Sequence, residues 1–225
     1  MMQDKIQSVL ALAAKQSKLD KEGVKSLLTD LSDLFRLVLT TVGGIKPRDV
    51  VRITTKFRDA GRRSAPWRPA SSRVPGRPQD GADGNRINRW LLPKNHKFYA
   101  DEKNATLVEI KYFLQTLSMA NAPKVPSVKF ASAFEWLLDH KVAPGMYLDP
   151  VQIIPIDFRM FVSDLRTVQS GHLIPLDRGG KHVPENTFLM LHRSNQIQGN
   201  MTTEELFRFM EETLKRRKSL NKKNY

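Results

Sequence analysis

Apolar residues recur three and four positions apart through the first 41 residues. Ile6, Val9, Leu10 and Ala13 make one stripe, and Val24, Leu27, Leu28, Leu31, Leu34, Phe35 and Val38 make a second. This period predicts two amphipathic helices between residues 4 and 41, with Asp4 and Asp20 as caps and Gly43-Gly44 as the stop. Leu107, Val108, Ile110, Phe113, Leu114 and Leu117 predict a third helix over 104–119, broken by Pro123 and Pro126. Ser127 is placed to cap a fourth helix running through His140, and Pro144-Gly145 closes that part. From Met146 the pattern shifts towards strands, first at 151–154 and then at Phe158 to Val162. A final helix is expected from Met201 to Lys218, with Thr203 as cap, Glu204 and Glu205 in its first turn, and Lys215 to Lys218 in its last. The fold class expected is α+β, with a mostly helical N-terminal part. The Leu-rich second stripe suits a core or a homodimer seam equally well.

Charge adds a second layer. Thirty-seven Lys and Arg against 23 Asp and Glu leave a net charge of +14, which points to a polyanionic partner because bound phosphates release counterions. Fourteen of the basic residues lie between Lys46 and Lys97, opposed by four Asp, so most of the excess sits in one quarter of the chain. Residues 62 to 85 are also rich in Pro and Gly, and are read as an extended or disordered basic loop. Arg62, Arg63, Arg68, Arg73 and Arg77 are its candidate DNA contacts, while Trp67 and Trp90 offer faces for stacking or simply pack on the core. The chain divides accordingly into a helical segment (1–45), a basic recognition arm or linker (46–100), a second helical segment (101–145) and a C-terminal domain (146–225).

The chemistry concentrates in residues 171–200, GHLIPLDRGGKHVPENTFLMLHRSNQIQGN. They read as a strand end at His172 to Ile174, a turn-rich loop from Pro175 to Glu185, a strand over Thr187 to Leu191, and a polar helix start. His172, Leu173-Ile174-Pro175, Gly179-Gly180, Asn186 and Asn195 stand in the order of the HNH nuclease motif. His172 and Asn186 are 14 residues apart, and Asn186 and Asn195 are 9. On these residues the segment resembles the HNH (His-Me finger, ββα-metal) endonucleases over the last third of the chain.

The resemblance implies a C-terminal ββα-metal finger with His172 as general base, since an imidazole titrates near neutrality. It implies that Asn186 orients the base by bonding the loop backbone and that Asn195 supplies an oxygen to Mg2+ or Mn2+. The family usually carries an acidic residue before the His, and Gly171 stands there instead. Three readings follow. Asn195 and waters hold the metal, as in the His-Me finger nucleases with Asp-Arg-Gly-His; or Asp164 or Asp157 serves as a second ligand; or the finger only binds. Arg178, Lys181 and Arg193 flank the motif as candidate clamps on the DNA backbone.

The chain has no cysteine, which excludes disulfides, thiol nucleophiles and thiolate zinc sites, so no structural zinc is expected. A zinc site from His172, His182 and His192 would need three separated positions to converge. His182 is instead expected as a loop residue, and His192 at the end of the second strand, near phosphate. The N-terminus is too polar for a signal or a membrane span, so a cytoplasmic protein with no membrane partner is expected. The function expected is metal-dependent hydrolysis of double-stranded DNA, either sequence-specific as in type II restriction enzymes or non-specific as in toxins. The rival of another class is a non-catalytic nucleic-acid-binding protein.

Overall fold

The computed structural model describes residues 2–64 and 86–223. Helix α1 (Met2–Ala13) begins ahead of Asp4, which therefore lies in the first turn and does not cap it. Asp20 does cap α2 (Lys21–Leu37), its carboxylate accepting from the Gly23 amide at 2.8 Å. The end of α2 widens into a π-turn over Val38–Val42, where the Gly43 amide donates to Val38 at 3.0 Å. Thr41 bonds back to the Leu37 carbonyl there, one way such widening is relieved.

The basic stretch that starts at Lys46 is not wholly an arm. Its first part is helix α3 (Pro47–Gly61), opened by Pro47 at the position where a missing N–H costs nothing. Val50, Ile53 and Phe57 bury one side of α3, while Arg48 and Arg52 stay exposed. Two short strands follow, β1 (Arg63–Ser64) and β2 (Ile87–Asn88), paired antiparallel with Arg63 opposite Asn88. Arg68, Arg73, Arg77 and Trp67 lie outside the described residues. Trp90 is half-buried.

Helix α4 (Glu102–Leu117) is the centre of the molecule, buried on nearly every side. Its low amphipathicity reflects contact with α2, α3 and the C-terminal sheet at once. Phe113 meets Phe35 at 4.7 Å and Phe57 at 5.9 Å between ring centroids, and Phe57 stacks on Phe161 at 5.8 Å. One contiguous apolar cluster runs from Ile6 to Leu189, across the boundaries expected at 45, 100 and 145.

Three expected elements differ. The helix capped by Ser127 breaks into α5 (Val128–Ser132) and α6 (Glu135–Leu138), because Phe134 leaves helical geometry and Asp139 turns left-handed at φ 61°. Residues 151–154 form a turn, not a strand. The Asp149 carboxylate accepts from the amides of Val151 and Gln152, and Ile153 adopts φ 54°. Phe158–Ser163 is a helix, α7, capped by Asp157, whose side chain accepts from Met160 at 2.9 Å.

The C-terminal part is a hairpin followed by two helices. Strand β3 (Val168–His172) pairs antiparallel with β4 (Thr187–Leu191), from Val168 opposite Leu191 to His172 opposite Thr187. Helix α8 (His192–Gln198) follows directly, and α9 (Thr203–Lys223) completes the chain. Thr202, one residue before the expected cap, exchanges reciprocal bonds with Glu205 at the start of α9. The architecture is thus mostly helical, with a small two-stranded C-terminal sheet followed by helices. Among the described residues, no helix is long and apolar enough to cross a membrane.

Candidate functional site

Alternation along β3 gives the hairpin two different faces. Val168 and, across the ladder, Leu189 belong to the main core, so the face they share with Ser170 and His172 is turned to the helical body. Gln169 and Gly171, with Met190 and Phe188 opposite them, look the other way. There Phe188 and Met190 pack with Val151 and Leu206 in a small separate cluster.

His172 closes β3 on the body side. Its Nε2 lies 3.1 Å from Nδ1 of His182, and the Nε2 of His182 lies 2.7 Å from the carbonyl oxygen of Gly61 at the end of α3. His182 is almost completely buried. Burial, and then the nearby Arg89 guanidinium, push the His172 imidazole down to about 4 from an ordinary 6.5. His182 is held well below its ordinary value by burial, Arg89 and His172 together. Both rings are therefore neutral at physiological pH. His182 was expected as a plain loop residue; the loop instead delivers it into the core, and only its place near the motif hinted at a role.

Asn186 is buried and fastens the loop between the strands. Its Oδ1 accepts from the Ile174 amide at 2.8 Å, and its Nδ2 donates to the carbonyls of Ile174 at 3.0 Å and Lys181 at 2.8 Å. Its own carbonyl accepts from Leu173 at 3.0 Å. Both ends of the loop are thus tied to one side chain, immediately beside His172. Gln198 of α8 holds the same point from the other side, donating to the His172 carbonyl at 2.8 Å.

Asn195 sits on α8 and donates from Nδ2 to Oε1 of Gln169 at 2.7 Å. Gln169 Nε2 in turn lies 2.6 Å from Nδ1 of His192. His192 thus opens α8 and bonds Gln169, on the opposite hairpin face from His172. The three histidines do not converge. Asp164 lies near this face, among Gln152, Gln169, His192 and Arg193 around a cavity of about 760 Å³. Arg166, bonded to both its carboxylate oxygens, pulls it down to about 2. The structure brings His172 together with Asn186 and His182; it joins neither Asn195 nor Asp164 to His172 by a hydrogen bond.

Gly171 is where the expected acid is missing, and packing accounts for it. A Cβ there would overlap the Met190 sulfur and lie 3.0 Å from the Phe188 ring. The place a ligand would occupy is filled by apolar atoms. Among the described residues no three His, Cys, Asp or Glu side chains gather as metal ligands. Among the described residues Asn195 Oδ1 makes no hydrogen bond, while its Nδ2 donates to Gln169. One amide oxygen with waters suits a hard, well-hydrated cation such as Mg2+ and is a poor zinc site.

The flanking cations have mixed environments. Arg62 is ion-paired to buried Glu109, and Arg178 to Glu205. Arg63 bonds Asp59 and the Arg86 carbonyl. Lys181 and Arg193 are exposed. Lys56, Arg63, Arg86 and Arg89 line a second cavity of about 460 Å³ beside Gln169 and Ser170, which the sequence reading did not single out as a unit.

No family model and no curated protein matches the chain. Among solved structures it is similar to one described as "Crystal structure of a type II restriction endonuclease", at 23% identity and a TM-score of 0.45. The alignment covers 59% of this chain and 62% of that one, so the chain spans under two thirds of that enzyme's length.

Proposed function

We propose that the protein is a metal-dependent endonuclease that hydrolyses double-stranded DNA, with residues 168–198 as an HNH-type ββα finger. The observation that carries this reading is the hold on His172. A neutral imidazole ends the first strand of a hairpin-helix unit, and Asn186 ties both ends of the adjoining loop through three side-chain bonds. A neutral imidazole accepts a proton from water, which phosphodiester hydrolysis needs. Asn195 is the proposed oxygen donor for Mg2+ or Mn2+, with Asp164, which lines the same cavity as its Gln169 partner, as the proposed second ligand. The cation, when bound, supplies charge stabilisation at the phosphate. Lys181 and Arg193, exposed beside the motif, and Arg63 with Arg68, Arg73 and Arg77 are the proposed DNA contacts, consistent with a net charge of +14.

Within this reading we favour a sequence-specific, restriction-type enzyme over a non-specific or toxin-type one, because so basic a stretch as 46–100 suits a dedicated grip on DNA. A second reading is favoured by one observation: Met190 fills the place of a ligand before His172, as expected of a finger that binds without cutting. Plasmid incubated with the protein and Mg2+ separates these. Discrete fragments lost on adding a chelator support the specific enzyme, and a smear supports the non-specific one. Intact plasmid with Mg2+ and Mn2+ alike overturns the catalytic reading.

A further inference from the structure

We infer that His182 is a positioning residue for the base, and that the relay from the Gly61 carbonyl through His182 leaves Nδ1 of His172 as the nitrogen that takes the proton. The assignment of His172 as base rests on the nuclease reading above; the assignment of protons along the relay does not.

The argument starts at the far end. A carbonyl oxygen only accepts hydrogen bonds, so the His182 nitrogen 2.7 Å from Gly61 carries a proton. That nitrogen is Nε2. Within a neutral imidazole one ring nitrogen donates and the other accepts, so Nδ1 of His182 carries a lone pair. Its neighbour at 3.1 Å is Nε2 of His172, which must therefore donate. His172, neutral in turn, keeps its lone pair on Nδ1. Among the described residues Nδ1 makes no hydrogen bond, and the ring retains partial exposure.

The anchor is as well defined as the ring it holds. The Gly61 carbonyl also accepts from Nε of Arg89 at 3.1 Å, and Arg89 bonds Ala60 and Phe98 besides. Gly61 has no Cβ because α3 passes so close to α4 that one would lie 2.8 Å from Glu109. A doubly protonated His182 would reverse the middle bond, but it would place a cation in the core beside Arg89. The relay thus carries the geometry of the helical body to a ring on the finger, and it fixes a tautomer that solvent alone would leave mixed.

The test uses the whole protein. Long-range nitrogen-15 correlation spectra distinguish protonated from unprotonated ring nitrogens, and are expected to show His172 bare at Nδ1 and His182 bare at Nδ1. A proton on Nδ1 of His172 overturns the relay whether or not the protein cuts DNA. His182→Leu removes the acceptor, and is expected to mix the His172 tautomers and lower kcat roughly tenfold to a hundredfold with KM unchanged. His182→Gln, which keeps an acceptor and a donor, is expected to recover most of kcat. Equal losses in the two variants would overturn the positioning role. If His182→Leu does not fold, the wild-type spectrum still decides. If the wild type does not cut, the nuclease reading fails and the proton assignment is judged by the spectrum alone.

Discussion

The amide of Leu191 donates to Oδ2 of Asp149 at 2.7 Å, at the junction where β4 becomes α8. The other oxygen of the same carboxylate accepts from Val151, Gln152 and the Ser194 hydroxyl. Asp149 is fully buried, so this one side chain ties the turn at 151–154 to the start of the helix that carries Asn195. Replacing it leaves four donors without their acceptor.

Asp149→Ala is therefore expected to destabilise the fold by about 3 kcal/mol or more. Asp149→Asn should recover only part, because its NH2 must face a donor at one end. Urea unfolding of the three proteins measures this; an unchanged midpoint for Asp149→Ala would contradict it.

The neutral histidines give a pH dependence of definite sign. His172 titrates near 6.5 unfolded and about 4 folded, so its contribution to stability is complete above 6.5 and is lost as pH falls through 4. His182 acts in the same direction. Chemical denaturation across this range is expected to show falling stability, and His172→Ala should flatten the slope. On the proposed function, the acid limb of DNA cleavage should likewise lie well below that of a free imidazole. A limb at the ordinary histidine value would show that the ring is not buried as described.

Gly171→Ala tests whether packing excludes a ligand before His172. We expect a loss of about 1 to 3 kcal/mol, since the new methyl overlaps Met190. Met190→Ala is expected to relieve part of it, giving a double-mutant cycle far from additive. Additive losses would place the two side chains apart.

Arg62 gives a contrast with a surface contact. Glu109 is raised above its ordinary value by burial, and the Arg62 guanidinium opposes that rise. Arg62→Ala is expected to cost about 3 to 5 kcal/mol by leaving the carboxylate uncompensated. Adding Glu109→Gln should return much of it. If Arg62→Ala weakens DNA binding while its thermal midpoint is unchanged, the residue serves DNA and not the fold.

The sequence made the periodic parts legible. The stripes of α2 and α4, the cap at Asp20 and the span of β4 were readable because one local pattern dictates each. Helix α3 was hidden by its charge: its exposed Arg and Lys dominate the composition, while Val50, Ile53 and Phe57 make the stripe that decides its state. The strands expected after Met146 failed because the Asp149 and Asp157 side chains compete for the backbone amides there. His172, Asn186 and Asn195 stand out in the sequence as a spaced motif; in the structure Asn186 ties the loop beside His172, while Asn195 bonds Gln169. His182 was not, since its partner Gly61 is 121 residues away and no local pattern announces such a meeting.

The hairpin is fastened to the body at several places besides that one. Lys111 donates to the Pro184 carbonyl at 2.6 Å, Gln115 accepts from the Leu189 amide at 3.0 Å, and Tyr147 donates to the Leu189 carbonyl. These anchors are side chains of α4 and of the segment just before Asp149. A fragment cut to the hairpin and its two helices would lose every one of them, and with them the cover for Val168 and Leu189. The hairpin with its two helices is thus not a transplantable cassette: grafting it onto another scaffold would require carrying α3 and α4 along.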